Sequence, residues 1–186
     1  MGLKDKYCIV GVGETEYSRH SGRSTRAMAV DAIKKAMADA GLGKDGVDGM
    51  MSYQGGDSTP ANWVSPDLGL RLNFYMDVMG GGSSTEALVG LAIGAIEAGM
   101  CHTVALFRSM NGYSDVRIGG TGSRAAQPVR ALDLAQVPFG MRSAGQSFAP
   151  TFMRHMYEYG TTSAQVARVR VAHSKHASQK IGRAHV

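Results

Sequence analysis

The sequence predicts an α/β fold in which short buried strands alternate with helices. Three observations carry that prediction. Short apolar, strand-like runs recur at Tyr7–Val12, Val47–Tyr53, Phe74–Val78 and Thr103–Phe107. Between them lie segments with apolar residues at helical i, i+3, i+4 spacing. Glycines such as Gly41, Gly43 and Gly80–Gly82 mark the segment ends rather than forming a repeat. Strand and helix in alternation imply a sheet covered by helices on its faces.

The elements follow in order. Tyr7–Val12 reads as a buried strand ending in Gly11-Val12-Gly13, with Cys8 a buried thiol inside it. Ser24 or Thr25 opens a helix whose stripe is Ala29, Ala32, Ile33, Ala36, Met37 and Ala40. Gly41 and Gly43 close it. Val47–Tyr53 is a second strand, followed by a Gly/Ser/Pro-rich loop over Gln54–Pro60. Ala61–Leu72 is a short helix that Pro66 and Gly69 interrupt. Phe74–Val78 is a third strand. A strong helix runs from about Ser84 to Gly99, with Leu88, Leu91, Ala92, Ala95 and Ile96 on one face. Thr103–Phe107 is a fourth strand. From Asn111 to Ser147 periodicity is weak, and so long an excursion points to function. Helical pattern returns over Phe148–Tyr159. Gly160 ends that helix, and Thr161 or Thr162 caps another running to about His176.

Composition excludes several classes. The chain has 186 residues, 44% of them apolar, enough to bury a core. Net charge is +5, but Lys and Arg are scattered, and the one dense cluster is Arg168 to Lys180. A nucleic-acid binder carries a tighter stripe with interleaved aromatics, so no nucleic-acid partner is expected. Two cysteines, Cys8 and Cys101, make no disulfide framework and fit a reducing, cytoplasmic setting. Met1–Lys6 lacks the apolar core of a signal peptide, and no apolar run is long enough to span a bilayer.

The most informative site is Met79-Gly80-Gly81-Gly82-Ser83-Ser84-Thr85-Glu86. A strand ends, glycines permit a tight turn, and a long helix begins. Amides at a helix start are unpaired and carry the positive end of the helix dipole. They can hold a thioester oxygen, a carboxylate or a phosphate. The bland alternative is equally specific: Ser83 and Glu86 fit an S-x-x-E capping box, which would satisfy those amides internally. Arg108, Asn111 and Tyr113 follow the fourth strand, where α/β folds place ligand contacts. Gly11-Val12-Gly13 lacks the third glycine of a dinucleotide turn, since position 16 is Glu. His173 and His176 stand three apart on a helix, but no second pair of ligands accompanies them, so no metal is expected. For His20, His102 and His155 surface or packing roles are the default.

Three segments bring in a family. Ala87–Phe107, ALVGLAIGAIEAGMCHTVALF, is similar to the thiolase superfamily, where a helix ending A-I-x-A-G leads to a strand and a short polar loop. Gly11–Ser18, GVGETEYS, resembles the start of the lipid-transfer, sterol-carrier-protein-X type of thiolase-like protein. Phe148–Ala177, with its Y-G-T-T cap, looks like the same subgroup. The resemblance implies a five-layer fold of two related halves. This chain would supply the N-terminal βαβαβαβ half over 1–112, a loop-rich insertion over 113–147 and a helical return over 148–179, with the C-terminal half missing. It also implies coenzyme A thioesters as substrate, no permanently bound cofactor, and a homodimer paired through a strand near the nucleophile.

Carried over residue by residue, the family's nucleophilic cysteine falls on Gly82, counting back from Ala95-Ile96. Glycine forms no acyl-enzyme, so ordinary thiolysis is not expected. Ser83 and Ser84 are weak substitutes, because no base is visible beside them. Cys101 lies in a helix-to-strand connection, not at a helix start. The glycine-rich turn resembles the steroid side-chain aldolase branch. That branch cleaves β-hydroxyacyl-CoA by retro-aldol chemistry with a small OB-fold or zinc-ribbon partner, and its acid and base lie in the second half. The expected function is therefore carbon–carbon cleavage of a bulky β-hydroxyacyl-CoA, with Gly81, Gly82, Ser83, Arg108, Asn111 and Tyr113 as substrate contacts. Acetyl-CoA acetyltransferase-type acyl transfer and a non-catalytic lipid-binding or scaffold role are the alternatives. The chain alone is expected to be inactive, with an uncovered apolar face.

The last seven residues, Lys180-Ile181-Gly182-Arg183-Ala184-His185-Val186, depart from the family pattern. A common sequencing adapter read in frame encodes Ile-Gly-Arg-Ala-His-Val and then a stop. Residues 180–186 are accordingly expected to be a non-native tail. Genomic sequence running through the same seven codons would sink that reading.

Overall fold

The computed structural model describes residues 3–80, 83–112, 137–141 and 144–178. Gly81, Gly82, Tyr113, most of the loop-rich insertion and the 180–186 tail lie outside the described residues. The described residues divide into two compact units, one holding those up to 112 and the other those from 137 onward.

The first unit is built on a three-stranded parallel sheet. Its elements are α1 (Thr25–Asp39), β1 (Gly49–Gln54), α2 (Ala61–Val64), β2 (Phe74–Met79), α3 (Ser84–Glu97) and β3 (Val104–Phe107). Strand order is β2-β1-β3, so β1 is central and pairs in parallel with both neighbours. Parallel strands need crossovers: α2 lies in the one from β1 to its neighbour β2, and α3 in the one that passes β1 from β2 to β3.

Side-chain alternation along β1 divides the core. Met50 joins Ala29 and Ile33 of α1, Ala61 and Val64 of α2, and Phe107 on one face. Met51 and Tyr53 join Leu88 and Ala92 of α3 on the other. Successive strand residues point to opposite faces, so two adjacent methionines can serve two cores. Met50, Met51 and Leu88 are fully buried; each such side chain contributes about 1.5–3 kcal/mol relative to exposure. A strand buried on both faces carries apolar side chains toward both, as Met50, Met51 and Tyr53 do.

Several expected boundaries shift. Ser24 caps α1, its side chain accepting from the Ala27 amide. The expected Ala61–Leu72 helix is instead α2 and a separate single turn over Pro66–Leu68, closed by Gly69 at φ 65°. Proline lacks the amide that a continuous helix would need there.

The largest difference concerns Tyr7–Val12, which is not a paired strand. The run has no regular secondary structure, and Ile9 and Val12 are 76% and 72% exposed. Cys8 is exposed rather than buried. Side chains hold the run in place instead of a ladder. Lys6 and Tyr7 bond to Glu97 at the end of α3, the Val12 amide donates to Asp39 at 2.9 Å, and Lys35 donates to the Glu14 carbonyl. Gly11 and Gly13 lie so close to α1 that a Cβ would stand 2.3 Å from the Ala36 carbonyl oxygen and 2.1 Å from that of Ala32. These glycines serve close packing, not a dinucleotide turn. Between the run, α1, α3 and β3 lies a cavity of about 640 Å³, lined mainly by apolar residues such as Ile33, Met37, Ile93 and Ile96. Strand propensity was present, but among the described residues no neighbouring strand reaches the run.

The second unit holds α4 (Ala144–Tyr159) and α5 (Ser163–Ser178). Helix α4 starts at Ala144 rather than Phe148, because its polar first turn carries no apolar stripe to read. His155 stacks between Phe152 and Tyr159, at 5.8 Å and 4.8 Å between ring centres. A reciprocal box caps α5: Gln165 accepts from the Thr162 amide, and the Gln165 amide donates back to Thr162 Oγ1.

Asp48 ties the sheet together at the N-terminal ends of its strands. Its carbonyl accepts from the Asn73 and Phe74 amides, leading into β2. Its carboxylate accepts from the His102 and Thr103 amides at 2.8 Å and 2.9 Å, and from the His102 ring at 2.9 Å, leading into β3. Burial alone would raise the Asp48 pKa, but the hydrogen bonds from Thr103 and His102 outweigh it and bring it from 3.8 down to about 2. A carboxylate with a depressed folded pKa adds stability that is present above the unfolded value and is lost as pH falls through the folded one. Chemical denaturation between pH 4 and pH 2 should therefore show stability falling in the wild type and a flatter profile in Asp48→Asn. At pH 7 the variant should be weaker by roughly 2 kcal/mol. Parallel profiles would contradict this role.

Candidate functional site

The C-terminal ends of β1, β2 and β3 converge on a polar cluster, the position where open parallel sheets bind ligands. Three groups of side chains build it.

The first is the turn from β2 into α3. Ser83 occupies the N-cap position, but its side chain makes no capping bond; its carbonyl accepts from the Ala87 amide at 3.1 Å. The Ser83 half of the capping box therefore does not form, and that hydroxyl does not consume the helix-start amides. Glu86 sits in the first turn of α3. A Cβ on Gly80 would stand 2.2 Å from Ser84 Oγ, so a larger residue there would require that hydroxyl to turn away.

The second group sits on the central strand. Ser52 is fully buried, with its Oγ 2.6 Å from Asp77 Oδ1 and 3.3 Å from the Thr59 carbonyl oxygen. The Ala61 amide donates to the same Asp77 oxygen at 2.9 Å. This bond ties the start of α2 to β2 and shapes the loop between β1 and α2.

The third group joins that loop to the end of β3. Arg108 Nη2 donates to Asp57 Oδ2 at 2.9 Å. The side chains are 19% and 4% exposed, so the pair is largely withdrawn from water. Asp57 Oδ1 and Arg108 Nε are buried without a hydrogen-bond partner. The guanidinium also lies over the Tyr53 ring, 4.0 Å from its centre. Tyr53 Oη in turn donates to the Gly80 carbonyl at 2.8 Å. Ser109 and Ser58 add a second link between the same two segments.

The residues singled out from sequence are thus placed unequally. Ser83, Ser84 and Arg108 lie around one end of the sheet, and Tyr53 connects the arginine to the turn. Asn111 is tied to the loop before α1, accepting from Ser21 Oγ and donating to the Arg23 carbonyl, both at 2.9 Å. Gly81, Gly82 and Tyr113 lie outside the described residues. Tyr53 and Asp57 went unnoticed in the sequence; their only signal was position, at the end of a central strand and in the loop after it.

The remaining chemistry-bearing residues lie elsewhere. His102 sits with Asp48 at the opposite end of the sheet. Cys101 is buried there; burial, and then the charge of Asp48, hold its pKa above the ordinary thiol value. It is a poor nucleophile in that state. Among the described residues no three His, Cys, Asp or Glu side chains gather as metal ligands.

No family model matches the chain. It is 35% identical over 175 residues to a steroid side-chain-cleaving aldolase of Thermomonospora curvata, a match covering 91% of this chain and 44% of that protein. It is 31% identical over 180 residues to a 17-hydroxy-3-oxo-4-pregnene-20-carboxyl-CoA lyase of Mycobacterium tuberculosis, covering 95% and 46%. A solved Ltp2-ChsH2(DUF35) aldolase superposes with a TM-score of 0.80 and 33% identity, covering 94% of this chain and 44% of that one. Two of these proteins are named as aldolases and one as a CoA lyase. The likeness to these enzymes runs through nearly the whole of the chain. It spans about half the length of the curated relatives it matches.

Proposed function

We propose that the whole protein cleaves a carbon–carbon bond in a bulky β-hydroxyacyl-CoA by a retro-aldol reaction, and that this thiolase-like chain supplies the turn that holds the thioester. The observation that carries the reading is the 35% identity to a steroid side-chain-cleaving aldolase, joined to glycine at position 82 where a thiolase nucleophile would stand.

The chemistry asks little of this turn beyond binding and orientation. A base removes the β-hydroxyl proton, the bond between the α and β carbons breaks, and its electron pair moves to the thioester as an enolate. The β carbon leaves as a ketone or aldehyde. The enolate then takes a proton to give the shortened acyl-CoA. Charge grows on the thioester oxygen, where fixed hydrogen-bond donors are worth most. The start of α3 is suited to that task because the Ser83 side chain makes no capping bond there. No covalent nucleophile enters the scheme, consistent with Gly82. Gly81, Gly82 and Ser83 are the proposed thioester contacts, with Asn111 and Tyr113, which follow β3 in the sequence, as further candidates.

The acid and base are assigned to polypeptide outside this chain. A homodimer acting with a small OB-fold or zinc-ribbon subunit is the proposed assembly; the two-part name of the solved Ltp2-ChsH2(DUF35) aldolase supports a partner. The two free thiols favour the cytoplasm, and no helix among the described residues is long and apolar enough to cross a membrane.

Incubating the complete protein and its partner with a panel of β-hydroxyacyl-CoA thioesters should yield a ketone or aldehyde and a shortened acyl-CoA in equal amounts by mass spectrometry. The 186-residue chain alone should give none. Thioester binding without product across the panel would overturn the lyase reading and favour a non-catalytic lipid-binding role.

A further inference from the structure

Tyr53, Arg108 and Asp57 form a connected stack that ends on the proposed thioester turn. Tyr53 is 4% exposed and packs in one cluster with Leu88 and Ala92 of α3. Its ring therefore touches the helix that follows the turn. Its hydroxyl bonds the Gly80 carbonyl, at the end of the strand that precedes the turn. One side chain thus contacts both flanks.

Packing alone does not account for the hydroxyl. Phenylalanine would fill the same space in the α3 core, and only the oxygen reaches Gly80. Nor does a simple ion pair account for Arg108. The Arg108–Asp57 contact is single, Nη2 to Oδ2, while Nε and Oδ1 stay buried and unpartnered. A side-on, two-bond pairing would satisfy all four atoms. The guanidinium instead lies on the Tyr53 ring. An arrangement that forgoes a hydrogen bond while keeping a ring contact is one in which the ring contact has weight.

We infer that Tyr53 is a positioning residue for the turn into α3, and that Arg108, anchored by Asp57, acts through the Tyr53 ring rather than on the thioester. Fixing the Gly80 carbonyl fixes the peptide plane leading into the turn. This inference rests on the proposed function only for the ligand the turn receives. The strut itself is a property of the free chain.

The test uses the chain with Tyr53→Phe, Arg108→Lys and Asp57→Asn, and Asp67→Asn as a control that breaks the remote Arg26 pair. Two readouts are taken: amide hydrogen exchange of the peptide covering Met79–Ala87, and affinity for octanoyl-CoA. Tyr53→Phe should keep the melting temperature within a few degrees, speed exchange at the start of α3, and weaken octanoyl-CoA roughly five-fold, the weight of one hydrogen bond. Arg108→Lys keeps the charge but loses the flat stack, and should shift both readouts in the same direction. It also decides the matter if Tyr53→Phe does not fold. The control should move neither readout. Exchange unchanged in both Tyr53→Phe and Arg108→Lys would overturn the strut, whatever the ligand result. If exchange quickens but the wild type does not bind octanoyl-CoA, the strut stands and the thioester reading fails.

Discussion

The architecture depends on how Asp48 is satisfied. One residue, just before the central strand, offers its carbonyl to the segment leading into β2 and its carboxylate to the segment leading into β3. Parallel strands arrive from distant parts of the sequence, and no hairpin sets their register. Asp48 sets both registers from one point. Because β1 is buried on both faces, a slip of one residue would exchange Met50 and Met51 between two differently shaped cores. The carboxylate earns its depressed pKa in that role, and the opposite ends of the strands are placed as a consequence.

At those opposite ends the same register brings Tyr53, Gly80 and Arg108 together from three strands. None is near another in sequence. Tyr53 and Gly80 meet because β1 and β2 pair in parallel with Gln54 opposite Met79. Arg108 meets Tyr53 because Ser52 lies opposite Phe107. The Asp48 end thus joins the strand starts, and the Tyr53 end joins the strand ends to Gly80, where the turn into α3 begins. The turn holds no cysteine in its sequence, and the Ser83 side chain makes no capping bond at the start of α3.

Much of this was legible in the sequence, for identifiable reasons. The α/β class and helices α1 and α3 follow from periodicity and glycine punctuation, which are local. Strand β1 was recognisable from Met50, Met51 and Tyr53, the apolar residues around its one serine. The Tyr7–Val12 run misled because β-branched residues report fitness for a pleated surface, not the presence of a neighbour. Strand order was not legible, since nothing local to β3 says that it adjoins β1 rather than β2. The site divided along the same line. Arg108 could be singled out from its place after a strand, and the Gly80–Ser84 turn from its composition. Tyr53 and Asp57 could not, because their roles exist only once the order β2-β1-β3 sets them beside Arg108. The capping box at Ser83 was a sound local reading that the turn geometry did not use.

The central claim is that this turn holds an acyl-CoA thioester without covalent attachment. Intact-mass spectrometry of the chain after incubation with octanoyl-CoA, followed by peptide mapping of Met79–Ala87, tests it most directly. Saturable binding is expected, with that peptide unmodified. An octanoyl group recovered on Ser83 or Ser84 would contradict it.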